Sequence, residues 1–219
     1  MRAVIFGASG GIGAALSAAL GPDAEVVALS RRDTGLDLTD EATIAAAVGR
    51  LDGTFDLVIV ATGALVINGQ GPEKSLRALS ANTMMAQLAL NAIGPALVLK
   101  HMVRFLPRDR VSRFAVLSAR VGSIGDNALG GWYSYRAAKT ALNQLIHTAS
   151  IEVARTHPQS IVIALHPGTV DTALTAAHAG GHPTVTPAQA ATNLLSVLDR
   201  LTPADTGGFF DWKGETIPW

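Results

Sequence analysis

The sequence predicts an α/β fold in which helices cover both faces of one central parallel sheet. Short apolar runs alternate with longer segments rich in Ala and Leu along all 219 residues. Most runs are apolar at consecutive positions, which is typical of strands buried on both faces. No repeat, charge block or low-complexity linker divides the chain. We therefore expect one doubly wound domain over residues 1–219, with a sheet of about seven strands.

The individual elements follow from this alternation. The predicted strands are residues 3–6, 25–29, 55–60, 113–117, 161–165 and 208–212. The predicted helices are residues 12–20, 41–51, 75–105, 134–155 and 194–201. Thr39 or Asp40 is the expected N-cap of the second helix. Residues 169–186 follow a predicted strand and contain few large apolar side chains, which predicts a lid on the substrate side.

The composition argues against several classes of function. Seventeen basic and seventeen acidic residues cancel, so no net charge attracts nucleic acid or an anionic membrane. The chain has no cysteine, which excludes disulfides and thiolate catalysis. Apolar runs such as residues 161–165 are shorter than the roughly 20 residues of a membrane span, and no signal peptide precedes the strand that begins at Arg2. We expect a cytoplasmic protein that binds neither nucleic acid nor a membrane.

A glycine-rich loop joins the first predicted strand to the first helix. Gly7 permits a sharp turn, Gly11 permits the close approach of a diphosphate, and Gly13 lets the helix pack closely on the sheet. The N–H groups at the start of the helix then face the phosphate charge. No Gly-Lys-Ser/Thr follows, so the loop is not a Walker loop. A plain flexible turn is the alternative. The full loop is Phe6-Gly7-Ala8-Ser9-Gly10-Gly11-Ile12-Gly13.

The end of the second predicted strand favours NADP over NAD. An NAD site usually has Asp or Glu at this place for the ribose hydroxyls, whereas this strand ends in Ser30-Arg31-Arg32. The planar guanidinium of Arg31 matches a 2′-phosphate, although Asp33 lies nearby. NAD is the second choice for the cofactor. The alternative is that both arginines are ordinary solvated charges.

Tyr135 and Lys139 form the predicted proton-transfer pair. They lie four residues apart near the start of a predicted helix, so they share one helical face. A free tyrosine has a pKa of about 10, and a nearby ammonium or an oxidised nicotinamide favours the phenolate. Tyr135 would then donate a proton to a carbonyl or remove one from an alcohol. Tyr133 has Ala137 at the same spacing and therefore has no such partner; the Tyr-x-x-x-Lys spacing by itself also arises by chance.

The histidines do not predict a metal site. His178 and His182 are four residues apart, but glycines lie between them and no acidic residue stands at ligand spacing. Because zinc needs three or four ligands, we expect no metal.

Together, these motifs resemble the short-chain dehydrogenase/reductase family, and within it the C-factor-like and sniffer-type carbonyl reductase branch. The likeness extends over essentially the whole chain. The glycine loop is similar to the family's cofactor loop, and Tyr135 and Lys139 match its catalytic pair. Gly-Ser-Ile at 122–124 and Gly-Gly-Trp-Tyr-Ser-Tyr at 130–135 point to the branch. The resemblance implies a Rossmann-type domain, a nicotinamide cofactor and a homodimer or homotetramer.

The resemblance also implies further cofactor contacts. Asp37-Leu38, expected after a third strand, resembles the pair that contacts adenine. Ala61-Thr62-Gly63 stands where the family usually has Asn-Asn-Ala-Gly, and residues 167–172 resemble the turn that holds the nicotinamide end. The implied cofactor contacts are Gly7, Ser9, Gly11, Ile12, Gly13, Arg31, Asp37, Leu38, Ala61, Thr62, Gly63, Pro167, Gly168, Val170 and Thr172.

Asn91 and a serine complete the implied catalytic set. Residues 91–95 are similar to the family's Asn-x-x-Gly-Pro, whose asparagine supports a proton-relay water; the alternative is that Asn91 is a solvent-facing helix residue. The family's catalytic serine corresponds to Ala119, which has no hydroxyl. Ser118 or Ser123 supplies one if the turn is re-routed, and we favour Ser118 because it ends the strand. A local hydrogen bond to the backbone is the alternative for Ser118.

The predicted function is hydride transfer between NADPH and a small carbonyl or alcohol substrate. The alternative is a C-factor-like dinucleotide-binding signalling or scaffold protein with weak or no catalysis, which Ala119 motivates. The sequence does not distinguish a third case, such as epimerisation or dehydration in the same site, and it does not name the substrate.

Overall fold

The computed structural model describes residues 1–21, 24–175 and 183–219, and its six strands pair in parallel. The strands lie side by side in the order β2-β1-β3-β4-β5-β6, and they are β1 (Arg2–Phe6), β2 (Glu25–Leu29), β3 (Leu57–Val60), β4 (Ser112–Leu117), β5 (Ser160–His166) and β6 (Phe209–Asp211). The order reverses between β1 and β3, and ligands of open α/β sheets bind at the carboxyl ends of the strands beside such a point. The predicted parallel sheet is confirmed.

Seven helices connect these strands within the described residues. They are α1 (Gly11–Leu20), α2 (Arg31–Thr34), α3 (Glu41–Val48), α4 (Ala81–Leu88), α5 (Gly94–Met102), α6 (Tyr133–Ala154) and α7 (Pro187–Arg200). A π-helical turn, Ala89–Ile93, joins α4 to α5 without a break. Asp40 caps α3 by accepting a hydrogen bond from the Ala42 N–H at 2.9 Å.

The helices cover both faces of the sheet, as the apolar strands predict. Alternate side chains of β1 enter two separate cores: Val4 and Phe6 pack with α3, α5 and α6, whereas Ala3 and Ile5 pack with α1 and α7. All four side chains are fully buried. A strand buried on both faces has no polar side to alternate, which explains its continuous apolar sequence.

The described residues form six strands, whereas the sequence predicts about seven. Between β2 and α3 the chain forms only the short helix α2, so Asp37-Leu38 follows the second strand and not a third one. The Thr43 hydroxyl accepts from the Asp37 N–H at 2.9 Å and donates to the Asp37 carbonyl at 2.7 Å. This hydroxyl therefore satisfies the backbone groups that a neighbouring strand would otherwise pair with.

The predicted lid, residues 169–186, is anchored at its base. Val170 and Val185 form an isolated parallel bridge, and the Thr186 side chain caps α7 by accepting from the Gln189 N–H. Residues 176–182, which include His178 and His182, lie outside the described residues. The role of this segment as a lid stays a prediction.

One helix corrects the expectation that no segment reaches membrane length. Within the described residues, Ala81–Phe105 is long and apolar enough to cross a membrane by length and composition alone. The sequence prediction considered only uninterrupted apolar runs and overlooked this mixed helix. Ala92, Val98 and Met102 of this helix are fully buried in the core against the sheet, and the core helix of an ordinary α/β domain passes the same test.

Candidate active site

A cavity of about 630 Å³ opens at the carboxyl ends of β3, β4 and β5, beside the start of α1. It lies next to the point where the strand order reverses, the usual ligand position in this class of fold. Eleven of the predicted site residues line it: Ile12, Ala61, Thr62, Gly63, Ser118, Tyr135, Lys139, Pro167, Gly168, Val170 and Thr172. The others, Gly7, Ser9, Gly11, Gly13, Arg31, Asp37, Leu38 and Asn91, are not part of its lining.

The glycine loop is shaped by its own backbone. Gly7 has a φ of +88°, in the region that favours glycine. A Cβ on Gly13 would overlap the Gly7 carbonyl oxygen, and a Cβ on Gly11 would lie 2.8 Å from Cγ2 of Thr172. The sequence prediction that Gly13 allows close packing on the sheet is therefore refined, because the nearest obstacle is the loop itself.

The start of α1 can accept an anion. Gly10 is the N-cap residue, no side chain caps the helix, and no acidic residue lies in its first turn. The first N–H groups of a helix have no partner within it, and they carry the positive end of the helix dipole. Ser9 and Gly11 are exposed beside these groups. The arrangement suits a phosphate.

Arg31 is the cation left available beside this loop. Its neighbour Arg32 pairs with Asp33 at 3.2 Å, and Ser30 donates to the same carboxylate at 2.6 Å. Among the described residues, Arg31 makes no ion pair or hydrogen bond through its guanidinium and is exposed. Asp37 accepts two hydrogen bonds from Thr39, which lower the pKa of its carboxyl.

The residues that follow β3 form the floor of the cavity. Within the described chain, the Thr62 hydroxyl is buried without a hydrogen-bond partner. Gly63 has a φ of +153°, and a Cβ there would lie 2.9 Å from Oδ1 of Asn91 and 3.7 Å from Nζ of Lys139. Only a residue without a side chain fits between these two polar groups.

Asn91 supports this floor from behind. It is fully buried in the π-helical turn, a feature that often marks functional sites. Its amide accepts from the Ala64 N–H at 3.1 Å, donates to the Ala64 carbonyl at 3.0 Å and donates to Gln87 at 2.6 Å. The solvent-facing alternative is thus excluded. Three residues later, Gly94 allows the helix to contact the backbone of Leu38.

Tyr135 and Lys139 lie together on the buried face of α6. Only 7% of Tyr135 and 3% of Lys139 is exposed. Nζ of Lys139 lies 5.8 Å from the centre of the Tyr135 ring and donates to the Leu117 carbonyl at 2.8 Å. The spacing therefore brings both groups to one wall of the cavity, as the sequence predicts.

Burial affects the two groups in opposite directions. It raises the pKa of the Tyr135 phenol and lowers the pKa of the Lys139 ammonium to about 7, because both charged forms lose water. The sequence predicts a lowered tyrosine pKa, whereas in the protein without a ligand the phenol stays protonated. Any lowering requires a further positive charge in the cavity.

The start of α6 is held by the backbone of the Gly-Gly-Trp motif at 130–132 and by Glu73, which the sequence does not single out. Gly130, Gly131 and Trp132 all have positive φ, and Trp132 at +54° is unusual for a side chain of its size. Glu73, which is 6% exposed, accepts hydrogen bonds from the N–H and hydroxyl of Ser134, and its own carbonyl accepts from the Trp132 N–H at 2.6 Å. Although burial alone would raise the pKa of Glu73, these hydrogen bonds lower it. Glu73 thus caps the start of α6 through Ser134, the residue directly before Tyr135.

Both candidate serines are already hydrogen-bonded. The Ser118 hydroxyl donates to Oδ1 of Asn143 on α6 at 2.6 Å, although the residue lines the cavity. The Ser123 hydroxyl donates to the Pro218 carbonyl and accepts from the Asp126 N–H at 3.0 Å. Ala119 itself lines the cavity. The structure therefore does not bring an uncommitted serine hydroxyl to the phenol.

The turn after β5 completes the far wall. Gly168 has a φ of +79°, and its missing side chain leaves room for the indole of Trp212. Val170 is buried and Thr172 contacts the glycine loop. His166 and Arg120 also line the cavity, and the sequence analysis missed both. The sequence offered one signal for His166, namely its position directly before the Pro167-Gly168 turn that the family motif covers.

No group of three or more potential metal ligands occurs among the described residues. His178 and His182 lie outside that part of the chain, so the expected absence of a metal stays a prediction.

Comparison with known proteins identifies relatives by sequence. The family model described as short chain dehydrogenase matches residues 34–181. The chain is 30% identical over 190 residues to 1-hydroxy-2-glutathionyl-2-methyl-3-butene dehydrogenase of Rhodococcus sp., covering 85% of this chain and 80% of that protein. It is 35% identical over 138 residues to the C-signal of Myxococcus xanthus, covering 62% and 78% respectively.

Solved structures show the same fold at lower sequence identity. The carbonyl reductase Sniffer of D. melanogaster superposes with a TM-score of 0.84 at 18% identity, covering 100% of this chain and 99% of the other. The NADPH-bound carbonyl reductase from chicken fatty liver gives 0.82 at 23% identity, covering 100% and 98%. With the family match extending over most of the sequence, the chain belongs to the short-chain dehydrogenase/reductase family of oxidoreductases.

Proposed function

We propose that this chain is an NADP-dependent reductase of small carbonyl compounds, with Tyr135 as general acid and Lys139 as its partner. The observation that carries the proposal is the convergence of a buried phenol and a buried amine on one cavity, which the Pro167-Gly168 turn also lines. Two buried titratable groups with shifted pKa values in one cleft are typical of a catalytic site.

Tyr135 is suited to donate a proton. Because burial keeps the phenol protonated at neutral pH, it can form a hydrogen bond to a carbonyl oxygen and transfer its proton as negative charge develops there. NADPH supplies the hydride to the carbonyl carbon when it is bound. The protonated phenol favours carbonyl reduction, because alcohol oxidation begins with the phenolate.

Lys139 is suited to stabilise the resulting phenolate. With a pKa of about 7, it can take up a proton near neutrality when a negative charge forms beside it. Its hydrogen bond to Leu117 holds the amine at the base of the cavity. The Asn91 amide is hydrogen-bonded to the backbone of Ala64 and fixes the neighbouring loop. We propose that Asn91 supports the proton-relay water and does not touch the substrate.

The remaining residues suit a dinucleotide. The start of α1, which has no side-chain cap, would hold the diphosphate with Gly7, Ser9, Gly11, Ile12 and Gly13. The Thr62 hydroxyl, which has no partner among the described residues, would offer a hydrogen bond beside Ala61 and Gly63. The Pro167–Thr172 turn would hold the nicotinamide end. Asp37 and Leu38 would border the adenine, and the available Arg31 favours the 2′-phosphate of NADP over NAD. The NADPH in the chicken carbonyl reductase supports this choice.

The test is an assay of the purified chain with NADPH or NADH and a panel of aldehydes, ketones and quinones. We expect oxidation of NADPH by at least one substrate class and a loss of kcat of about 10³-fold in Tyr135→Phe. Tyr133→Phe is the matched control, because Tyr133 lies on the same helix but is more exposed and has no lysine partner. No turnover with any substrate would refute the reductase.

A second candidate is a dinucleotide-binding signalling or scaffold protein. It is favoured by Ala119 together with the committed hydroxyls of Ser118 and Ser123, and by the similarity to the C-signal. Tight NADPH binding without turnover, together with a specific protein partner, would support it.

A homodimer or homotetramer is also proposed. Met85 of α4 and Ile151 of α6 are each more than half exposed, as is typical of association surfaces. Elution at the mass of one chain, 22.6 kDa, would refute association.

A further inference from the structure

His166 lies next to the position of the missing serine. It is the last residue of β5, whose partner β4 ends at Leu117. The parallel pairing of Leu117 with Leu165 continues in a 2.7 Å hydrogen bond from the Ser118 N–H to the Leu165 carbonyl. The next residue on each strand, Ser118 and His166, therefore stand side by side, with Ala119 directly following. Both Ala119 and His166 line the cavity that holds Tyr135.

The imidazole of His166 has an unused donor. Among the described residues neither of its ring nitrogens has a hydrogen-bond partner, and Nδ1 is buried. A neutral imidazole carries its hydrogen on only one nitrogen. Because a buried unpaired N–H is rarer in proteins than a buried unpaired acceptor, we assign the hydrogen to Nε2. This nitrogen then offers an N–H to the part of the cavity that the residue lines.

The surroundings keep this imidazole neutral. Burial and the nearby Arg120 lower the pKa of His166 to about 4, and Asp211 only partly opposes them. The Asp211 carboxylate is already taken by Arg120 at 3.1 Å and by the N–H groups of Lys213 and Glu215. Arg120 also bonds Asp126 at 3.2 Å. The local charges are therefore paired with one another, and His166 remains a neutral donor.

We propose that the Nε2–H of His166 donates a hydrogen bond to the reacting carbonyl oxygen of the substrate and takes the role of the hydroxyl that Ala119 lacks. The proposal rests on the proposed reductase function. In the reaction, hydride from NADPH forms the new C–H bond, Tyr135 gives its proton to the oxygen, and His166 keeps its own proton throughout. The hydrogen bond from the His166 N–H becomes stronger as negative charge develops on the substrate oxygen. Oxyanion donors accelerate a reaction in this way, because they stabilise the transition state more than the ground state.

Substitutions that separate shape from hydrogen bonding test this role. His166→Leu removes the donor and should lower kcat by about 10²-fold, the typical loss for one oxyanion donor. His166→Gln places an amide N–H near the position of Nε2 and should recover at least tenfold of that loss. His166→Asn reaches only the position of Nδ1 and should resemble His166→Leu, and it serves as the polar variant if the leucine variant does not fold.

A second arm restores the hydroxyl instead of the imidazole. Ala119→Ser in the His166→Leu background should regain activity, whereas the same change in the wild type should add little, because the oxygen already has its donor. His157→Leu is the control: His157 is a buried histidine whose Nδ1 contacts Thr156, and it is not part of the cavity lining. It should leave kcat unchanged.

The outcomes are distinguishable. If the wild type turns over no substrate, the reductase function itself fails. If the wild type is active and His166→Leu keeps kcat within threefold, only the role of His166 is refuted. A raised KM for NADPH with unchanged kcat would also refute it, because His166 would then bind the nicotinamide carboxamide and not the substrate.

Discussion

The glycine loop, residues 7–13, and the α6 entrance, residues 130–139, border the same site but are held by different kinds of contact. In the glycine loop, the backbone of Gly7 lies against Gly13, so the shape arises within seven residues of chain. At the α6 entrance, Glu73 reaches Ser134 across 61 residues, and Lys139 reaches the Leu117 carbonyl across 22. The glycine loop depends on the absence of side chains. The α6 entrance depends on particular side chains that are distant in the sequence.

The two regions are therefore sensitive to different kinds of substitution. The glycine loop should fail when a side chain is added at Gly13, because the obstacle there is backbone that cannot rotate away. The α6 entrance should fail when a polar partner is removed or its charge changes, because buried polar groups are costly when left unpaired.

Gly13→Ala is expected to have the largest effect. Its Cβ would overlap the Gly7 carbonyl, so we expect a loss of about 3 kcal/mol in the free energy of unfolding, the upper end for overpacking, measured by urea denaturation. Gly10→Ala is the control in the same loop, because its Cβ would lie 3.3 Å from the same oxygen. If both variants lose the same free energy of unfolding, the contact between Gly13 and the Gly7 carbonyl is not what restricts the loop.

Lys139→Met should alter the pH dependence of stability. The pKa of Lys139 is about 7 in the folded protein and about 10.4 when unfolded. Between these values the unfolded chain binds more protons, so wild-type stability rises with pH. We therefore compare the free energy of unfolding of the variant with that of the wild type at each pH. The difference should favour the variant by about 2.5 kcal/mol more at pH 6 than at pH 9. Denaturation at both pH values measures this difference. If the difference between variant and wild type does not change with pH, the lowered pKa of Lys139 is contradicted.

Glu73→Gln tests the long-range cap. Replacing the charged acceptor should lower the free energy of unfolding by about 2 kcal/mol, in the range for hydrogen bonds to charged groups. Because the pKa of Glu73 is lowered by Ser134, the carboxylate stabilises the fold above the unfolded pKa of about 4.3, and the loss should vanish as pH falls below the folded value.

Asp205→Asn is the matched control for that cap. Asp205 likewise accepts from the N–H and hydroxyl of one residue, Thr202, but it is only partly buried and not part of the cavity lining. It should leave kcat unchanged, whereas Glu73→Gln should lower kcat several-fold through Tyr135. An equal effect of the two changes on kcat would show that Glu73 does not position the phenol.

Arg31→Ala should have the smallest effect, confined to one cofactor. If Arg31 binds the 2′-phosphate as proposed, loss of its guanidinium should weaken NADPH binding about tenfold, or 1.4 kcal/mol, and leave NADH binding unchanged in a fluorescence titration. Arg32→Ala is the control, because Arg32 already pairs with Asp33. Equal losses for NADPH and NADH would remove the argument for NADP.

The same difference explains what the sequence could predict. The strands are visible because residues such as 57–60 are apolar throughout, and Tyr135 and Lys139 are visible because helical spacing alone brings them together. The Thr43 hydroxyl that replaces a strand beside Asp37 and the cap that Glu73 provides depend on chain segments meeting in space. No local pattern reports such contacts, and for the same reason the position of His166 beside Ser118 emerges only from the pairing of β4 with β5.

The burial of Lys139, which lowers the pKa of its amine to about 7, has a consequence for ligand affinity. An amine that is half neutral at physiological acidity can be recharged by whatever arrives beside it. A ligand that prefers the ammonium must draw a proton from the solution as it binds, and it will bind more tightly as the solution becomes more acidic through neutrality. Occupancy of the site would then follow the acidity of the compartment as well as the concentration of the ligand.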